Sequence, residues 1–302
     1  MKKAIGIDIG GTKTAIAIVN ENGDIIEKDV LPTDTTISPE DMIGRINEKV
    51  AELIRASGVP VEALAGIGIG APGTIDMTKG EIVLAPNLPK WRRAPIVPLV
   101  QEKFPVPVVL GNDANAAAVA EKWVGAAKNS DHFIYITIST GIGGGIFSDG
   151  KLFTGFKGNS AEIGHMVIEF DGPLCGCGQK GCFEAVASGT AIAKHGSAIA
   201  GRPLTTKEVF ELYRSGDAEM TAYVESVFQK IGAGVTSLVN ILEPEMVVLG
   251  GGVTNVGEPL FQAVRQYVSE HAISVSGKAT RIVPSELSQD TGVIGAAALV
   301  LV

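Results

Sequence analysis

The residues best suited to chemistry lie mid-chain. His165, Cys175, Cys177 and Cys182 form a soft four-ligand set of the kind that holds tetrahedral zinc. The C-x-C-x4-C spacing, with glycines between the ligands, fits a metal knuckle better than three buried thiols beside a surface histidine. Protein fills all four positions, so the expected Zn2+ is structural. These are all the cysteines of the chain. An odd, tightly clustered number argues against a disulfide framework.

A second constellation is Asp8-Ile9-Gly10-Gly11-Thr12-Lys13. Its glycines free backbone N–H groups to face phosphate oxygens, and Thr12 and Lys13 add a hydroxyl donor and a cation. Asp8, at a strand end, can hold hydrated Mg2+, a hard ion that keeps most of its water. Alone, the segment also fits a hairpin with a flexible turn. It is not a Walker A loop, because the G-x-x-x-x-G-K-[ST] spacing is absent. Nor is Gly141-x-Gly143-Gly144-Gly145 a dinucleotide fingerprint, since it precedes a strand. Asp113 follows a buried strand and opens a helix, a place for a carboxylate facing a cleft or for a plain N-cap. Glu162 and His165 are three apart and share a face of a helical turn.

Elements that would position these groups are legible. Ile5, Ile7 and Ile9 alternate as a strand, Gly10-Gly11 turns the chain, Thr14–Val19 alternates again, and Asn22-Gly23 closes a second hairpin. Ser38-Pro39-Glu40-Asp41 reads as a helix start, and Gly58 as its stop. Strands follow at Leu64–Ile69 and Val106–Leu110, then an alanine-rich helix at Ala114–Trp123. At Ile134, Ile136 and Ile138 the opening order returns: strand, threonine-and-glycine loop, strand, polar glycine turn. A single repeat at a period of roughly 130 residues means two related domains, not a solenoid. Residues 187–240 read as mostly helical, Met246–Leu249 and Thr280–Val283 as strands, and Gly292–Val302 as a closing helix. Strands alternating with helices give the α/β class.

Composition bounds the function. The 302 residues carry 45% hydrophobic and 19% charged side chains, which excludes a disordered or fibrous chain. A net charge of -8 disfavours nucleic acid as the principal ligand. No apolar run reaches the roughly 18–20 residues that span a bilayer. The N-terminus meets Asp8 before any apolar core forms, so no signal peptide is read and a cytoplasmic protein is expected.

Asp8–Lys13 and Thr140–Gly145, taken together, resemble the paired phosphate loops of the actin, Hsp70 and sugar kinase superfamily. Gly250-Gly251-Gly252, after a strand, resembles its adenosine-contacting glycines. With Ala85-Pro86-Asn87-Leu88 and Trp91, Asn112-Asp113-Ala114-Asn115, Glu162–His165 and the His/Cys3 cluster, the whole chain resembles the ROK family of repressors, open reading frames and kinases, and above all its bacterial glucokinases. The resemblance implies a two-domain, ribonuclease H-like α/β fold with duplicated β-sheet cores flanked by helices. It implies a small domain of residues 1–111 plus 292–302, and a large one of residues 112–291. It implies ATP with Mg2+ at Asp8, Gly10, Gly11, Thr12, Lys13, Thr140, Gly141, Gly251 and Gly252. The Asp113 carboxylate would be the base, and Asn87, Asn112, Asp113, Glu162, His165 and Glu184 would contact glucose or a related hexose. His165 would then serve zinc and sugar together, and Gly111 and Gly292 would be hinges. A homo-oligomer, a dimer in the family's manner, is expected on the same basis. Three alternatives stand beside the glucokinase expectation: a kinase for fructose, allose or N-acetylmannosamine; a transcriptional repressor, which in this family carries a DNA-binding domain ahead of the Asp8 loop; and a non-catalytic sugar-binding protein.

Overall fold

The structure is a computed structural model that describes residues 2–287 and 290–302. Its contacts divide the chain into two compact units: Met1–Asn129, Leu152–Ser160 and Glu286–Val302 form the first, and Ser130–Lys151 with Ala161–Ser285 the second. Among the described residues, no helix is long and apolar enough to cross a membrane.

The first unit comprises strands β1 (Lys3–Ile9), β2 (Lys13–Asn20) and β3 (Ile25–Pro32), helix α1 (Pro39–Ser57), β4 (Leu64–Ala71), a small hairpin β5 (Thr74–Asp76) and β6 (Glu81–Leu84), α2 (Ile96–Gln101), β7 (Val108–Asn112), α3 (Asp113–Val124) and the C-terminal helix Thr291–Leu301. Its 5-stranded sheet has the order β3-β2-β1-β4-β7. β1 runs antiparallel to β2 and parallel to β4, which puts Asp8 opposite Ala15 and Gly70. Alternation in β1 and β2 sends Ile5, Ile7, Ile9, Ile16 and Ile18 to one face, packed with Met42, Ile43, Ile46 and Val50 of α1. That helix starts where its sequence says: Ser38 accepts from the Asp41 N–H, Pro39 is the first helical residue, and Gly58 ends it at φ 66°.

The opposite face is built from small residues. Ala4, Ala15, Ala17 and Val19 pack on Val293 and Ala297 of the C-terminal helix. Glycine sets the distance. A Cβ on Gly6 would lie 2.0 Å from the Val293 carbonyl oxygen, one on Gly68 1.8 Å from that of Ala296, and one on Gly295 2.2 Å from that of Ala116 in α3. Helix and sheet thus touch backbone to backbone, and α3 is held on the same helix.

That contact moves the expected domain boundary. Residues 112–129 belong to the first unit, not to a large second domain, because α3 packs on the C-terminal helix. Gly111 and Gly292, expected as hinges, sit inside β7 and the first turn of that helix. A Cβ would meet Leu299 at 2.8 Å in the first case and Asp8 at 2.2 Å in the second, so both glycines serve close packing.

The second unit repeats the scheme with β8 (Phe133–Ile138), β9 (Ile142–Ser148), β10 (Lys151–Leu152), helices α4 (Phe183–Ala187), α5 (Gly189–Ala200), α6 (Thr206–Ser215) and α7 (Ala218–Leu242), β11 (Met246–Gly250), α8 (Glu258–His271), α9 (Val275–Lys278) and β12 (Arg281–Pro284). Its sheet order, β10-β9-β8-β11-β12, matches the first sheet strand for strand. An antiparallel hairpin is followed by parallel neighbours in both, as the repeated sequence pattern requires. The 25-residue α7 carries the core, burying Val224, Val227, Phe228, Ile231 and Val235.

Gly68→Ala should destabilise the first unit, since overpacking typically costs about 1–3 kcal/mol and backbone blocks the new methyl. Gly44→Ala is the control, because a Cβ there meets nothing within 4 Å. Urea denaturation should show a lower midpoint for the first variant and an equal or higher one for the second.

Candidate active site and metal centre

In the first unit the β1–β2 turn is closed by the Gly10 N–H donating to the Lys13 carbonyl at 3.0 Å. The Thr12 carbonyl accepts from the Thr33 N–H, also at 3.0 Å. The N–H groups of Gly11 and Thr12 have no partner among the described residues, and the Thr12 and Lys13 side chains are exposed. Asn87 stands beside this turn, where a Cβ on Gly11 would come 3.0 Å from its own. Fully buried Trp91 anchors the Asn87 segment, and its backbone N–H donates to Leu88 at 2.9 Å.

Asp8, the residue before the end of β1, lies against the C-terminal helix, its carboxylate filling the space a Gly292 side chain would need. Burial pushes its pKa up to about 6, and the neighbouring Asp113 charge adds to the rise against the pull of Lys13 and Lys28. Asp113 is not the N-cap of α3. Asn112 caps the helix, its Oδ1 accepting from the Ala114 and Asn115 N–H groups at 3.0 and 3.1 Å. The Asn112 amide donates to the Gly73 carbonyl at 3.4 Å. Asp113 is the first helical residue, with Oδ1 accepting from the Ala114 N–H at 2.8 Å. Two carboxylates and the first glycine turn therefore gather at the strand ends of the first sheet.

The second unit holds the other set. The β8–β9 turn is tied by its carbonyls: Gly189 donates to Ser139 at 2.7 Å, the Thr190 hydroxyl to Thr140 at 2.8 Å, and Ser139 to Gly141 at 2.8 Å. The N–H groups of Thr140 and Gly141 have no partner among the described residues. The loop is shorter than the glycine run suggests, since Gly143, Gly144 and Gly145 lie within β9. Gly251, at φ 88°, crosses the end of β8, where a Cβ would sit 2.4 Å from the Ile138 carbonyl oxygen. Gly252 faces open space. Thr140, Gly141, Gly251 and Gly252 are thus neighbours at the ends of two parallel strands.

Glu162 leads a short 3-10 turn, Ile163–His165, and its carbonyl accepts from the His165 N–H at 3.0 Å. The preceding Ala161 takes φ 63°, a left-handed conformation costly for a non-glycine residue. Gly164 presses the turn onto β9, where a Cβ would lie 2.1 Å from the Ile142 carbonyl oxygen. The exposed Glu162 and the half-buried His165 are held there. Glu184, in the first turn of α4, accepts from the Ile142 N–H at 3.0 Å.

The ligand atoms of His165, Cys175, Cys177 and Cys182 all lie within 4.8 Å of one another. Cys175 Sγ is 3.6 Å from His165 Nδ1, and Cys177 Sγ is 3.6 Å from Cys182 Sγ. Ligands on a tetrahedron with Zn–S bonds of about 2.3 Å stand about 3.8 Å apart, so spacing and donor type both fit. The Gln179 N–H beside Cys177 holds its thiol down at about 7, while burial pushes Cys182 up to about 12. Nδ1 of His165 faces the thiols, which leaves Nε2 on the opposite side of the ring.

The structure therefore brings the expected residues together as two sets, one on each unit. It also adds residues to which sequence reasoning gave no role. Gly189 and Thr190, at the start of α5, orient the second loop, and nothing in their types signals it. Asn159 clasps Ile75 with both amide atoms, accepting from its N–H at 3.0 Å and donating to its carbonyl at 3.1 Å. Its place three residues before Glu162 was the available signal.

Two sheets of one topology, each turning its first hairpin through a glycine loop with unpaired N–H groups, define the actin-like class to which sugar kinases belong. Within it, the chain belongs to the ROK family, whose model matches residues 4–302. A glucokinase of Thermotoga maritima is 36% identical over 99% of this chain and 97% of its own. A ROK family glucokinase from Streptomyces griseus, solved with glucose and AMPPNP, superposes with a TM-score of 0.83 at 33% identity, over 98% of both chains. A xylose repressor of Caldicellulosiruptor bescii is 31% identical over 98% of this chain and 77% of its own.

The pKa of Asp8 has a testable sign. In the fold it lies above the ordinary 3.8, so native protein holds the proton more tightly than unfolded chain and stability falls as pH rises between 3.8 and about 6. Asp8→Asn, neutral at every pH, should raise the urea midpoint more at about pH 7.5 than near pH 4.

Proposed function

We propose that the chain transfers the γ-phosphoryl group of ATP to the 6-hydroxyl of glucose. One observation carries the reading: Asn112 takes over the capping of α3, so Asp113 stands at the first helical position as a second carboxylate beside Asp8. The full-length similarity to glucokinases supports it. Phosphoryl transfer has a loose transition state, so positioning and charge neutralisation supply most of the catalysis. The unpaired N–H groups of Gly11, Thr12, Thr140 and Gly141 suit phosphate oxygens, with Thr12 and Lys13 adding a hydroxyl and a cation. Gly251 and Gly252 offer bare backbone to an adenosine. Asp8, partly covered and beside a second acid, is suited to the water shell of Mg2+, which when bound neutralises charge on the phosphates. Asp113 accepts the proton of the attacking hydroxyl.

For the sugar, Glu162, Glu184, Asn87 and His165 Nε2 supply paired acceptors and donors, and the second amide hydrogen of Asn112 is a further donor. Zn2+ on His165, Cys175, Cys177 and Cys182 would be structural, fixing the turn that carries Glu162 and the helix that carries Glu184. Exposed Ile241, Ile273 and Val275 gather where the end of α7 meets the turn before α9, and this apolar surface supports a homodimer.

A coupled assay over glucose, fructose, allose and N-acetylmannosamine tests the reading. Glucose should have the highest kcat/KM, and a protein that binds sugar without turnover would instead be a regulator of the kind its repressor relatives exemplify. Asp113→Asn should lower kcat by about 10²–10⁴-fold while calorimetry shows near-normal glucose binding. Elemental analysis of protein purified without added metal should give one zinc per chain, and chelation should lower Tm and glucose affinity together.

A further inference from the structure

Glu184 does two things at once. It lies two residues after Cys182, in the first turn of α4. Its Oε2 accepts from the Ile142 N–H at 3.0 Å and fills the place a Gly141 side chain would occupy, 2.3 Å from where the Cβ would be. Gly141 is glycine because a carboxylate sits there. The other anchors of this loop, Gly189 and Thr190, come from the helix that follows α4. The 184–190 segment thus holds the carbonyls of Ser139 and Thr140 and the N–H of Ile142. What remains without a partner among the described residues is the pair of N–H groups on Thr140 and Gly141. Oε1 of Glu184 has no protein partner among the described residues, and the side chain is partly exposed.

We propose that Glu184 is a positioning residue for the second phosphate loop, bracing it through Oε2 while Oε1 takes a sugar hydroxyl, so that sugar and nucleotide affinities are coupled through one side chain. The inference rests on the sugar-kinase reading above. Its physics is electrostatic. A carboxylate against a phosphate loop repels the incoming anion. A hydroxyl donated to Oε1 draws off part of that charge and leaves the Ile142 brace intact, so sugar should tighten nucleotide binding. Linkage then requires the nucleotide to tighten sugar binding by the same factor.

Calorimetry with AMPPNP and Mg2+, with and without saturating glucose, tests this on the zinc-loaded protein. The wild-type chain should bind AMPPNP at least about 5-fold more tightly with glucose, the lower end of ordinary coupling. Glu184→Gln keeps an acceptor for the Ile142 N–H but loses the charge. It should bind AMPPNP without glucose at least as tightly as wild type, and the coupling factor should fall toward one. Glu184→Ala loses the brace as well and should weaken AMPPNP binding even without glucose, with zinc content and Tm reporting that it is folded. Glu162→Gln, which lacks the loop contact, should weaken glucose alone. A wild-type chain that binds both ligands independently, or a Glu184→Gln chain that keeps full coupling, overturns the inference. A wild-type chain that binds no glucose overturns the kinase reading itself.

Discussion

Backbone packed directly on backbone, where the C-terminal helix lies across the first sheet, is the constraint on which the first unit depends. Gly6 and Gly68 let that helix sink onto β1 and β4, and Gly295 lets α3 close on it from the other side. Interiors at this density have no slack, so the position of one element dictates the next. The helix sets α3, and α3 sets Asp113. Its first turn, at Gly292, sets how near Asp8 comes. The raised pKa of Asp8 follows from the same packing, since burial and the Asp113 charge cause it jointly.

In the second unit the constraint is hydrogen bonding, not contact distance. A glycine loop left to itself samples many conformations, and its N–H groups point at nothing in particular. Here side chains and backbone of the 184–190 segment take its carbonyls and one N–H. The N–H groups of Thr140 and Gly141 are left without a partner among the described residues. Two residues before that segment lies Cys182, whose sulfur is one of four potential ligand atoms within 4.8 Å of one another. α4 thus joins the ligand knuckle directly to the residues that hold the β8–β9 turn.

Much of this was legible in the residues. Alternating isoleucines marked the strands, Ser38-Pro39 marked the start of α1, and the returning strand-loop-strand order at Ile134 foretold a second sheet of the same topology. The chemistry-bearing types at Asp8, Asp113, Glu162, Glu184 and the His/Cys3 cluster were visible because glycine surrounds them. What escaped was decided by tertiary contact. The β5–β6 hairpin is too short to show a period, and its partner Asn159 lies more than eighty residues away. The capping of α3 fell to Asn112 and not Asp113, since both residue types cap well and only the path of the chain after β7 chooses between them. The domain boundary was misplaced because no local pattern says that an alanine-rich helix will pair with a segment at the other end of the sequence.

That last pairing has a consequence for how the molecule is made. The helix that covers the small-residue face of the first sheet is translated after the whole second unit. Ala4, Ala15, Ala17 and Val19 cannot be covered while the ribosome is still producing residues 130–285. Domains commonly fold from the N-terminus forward during synthesis. Here the isoleucine face of β1 and β2 packs on α1, from the same end of the chain, whereas the alanine face waits for a helix that follows the whole second unit in the sequence. A chain lacking that helix would present a bare sheet face lined with alanine and glycine.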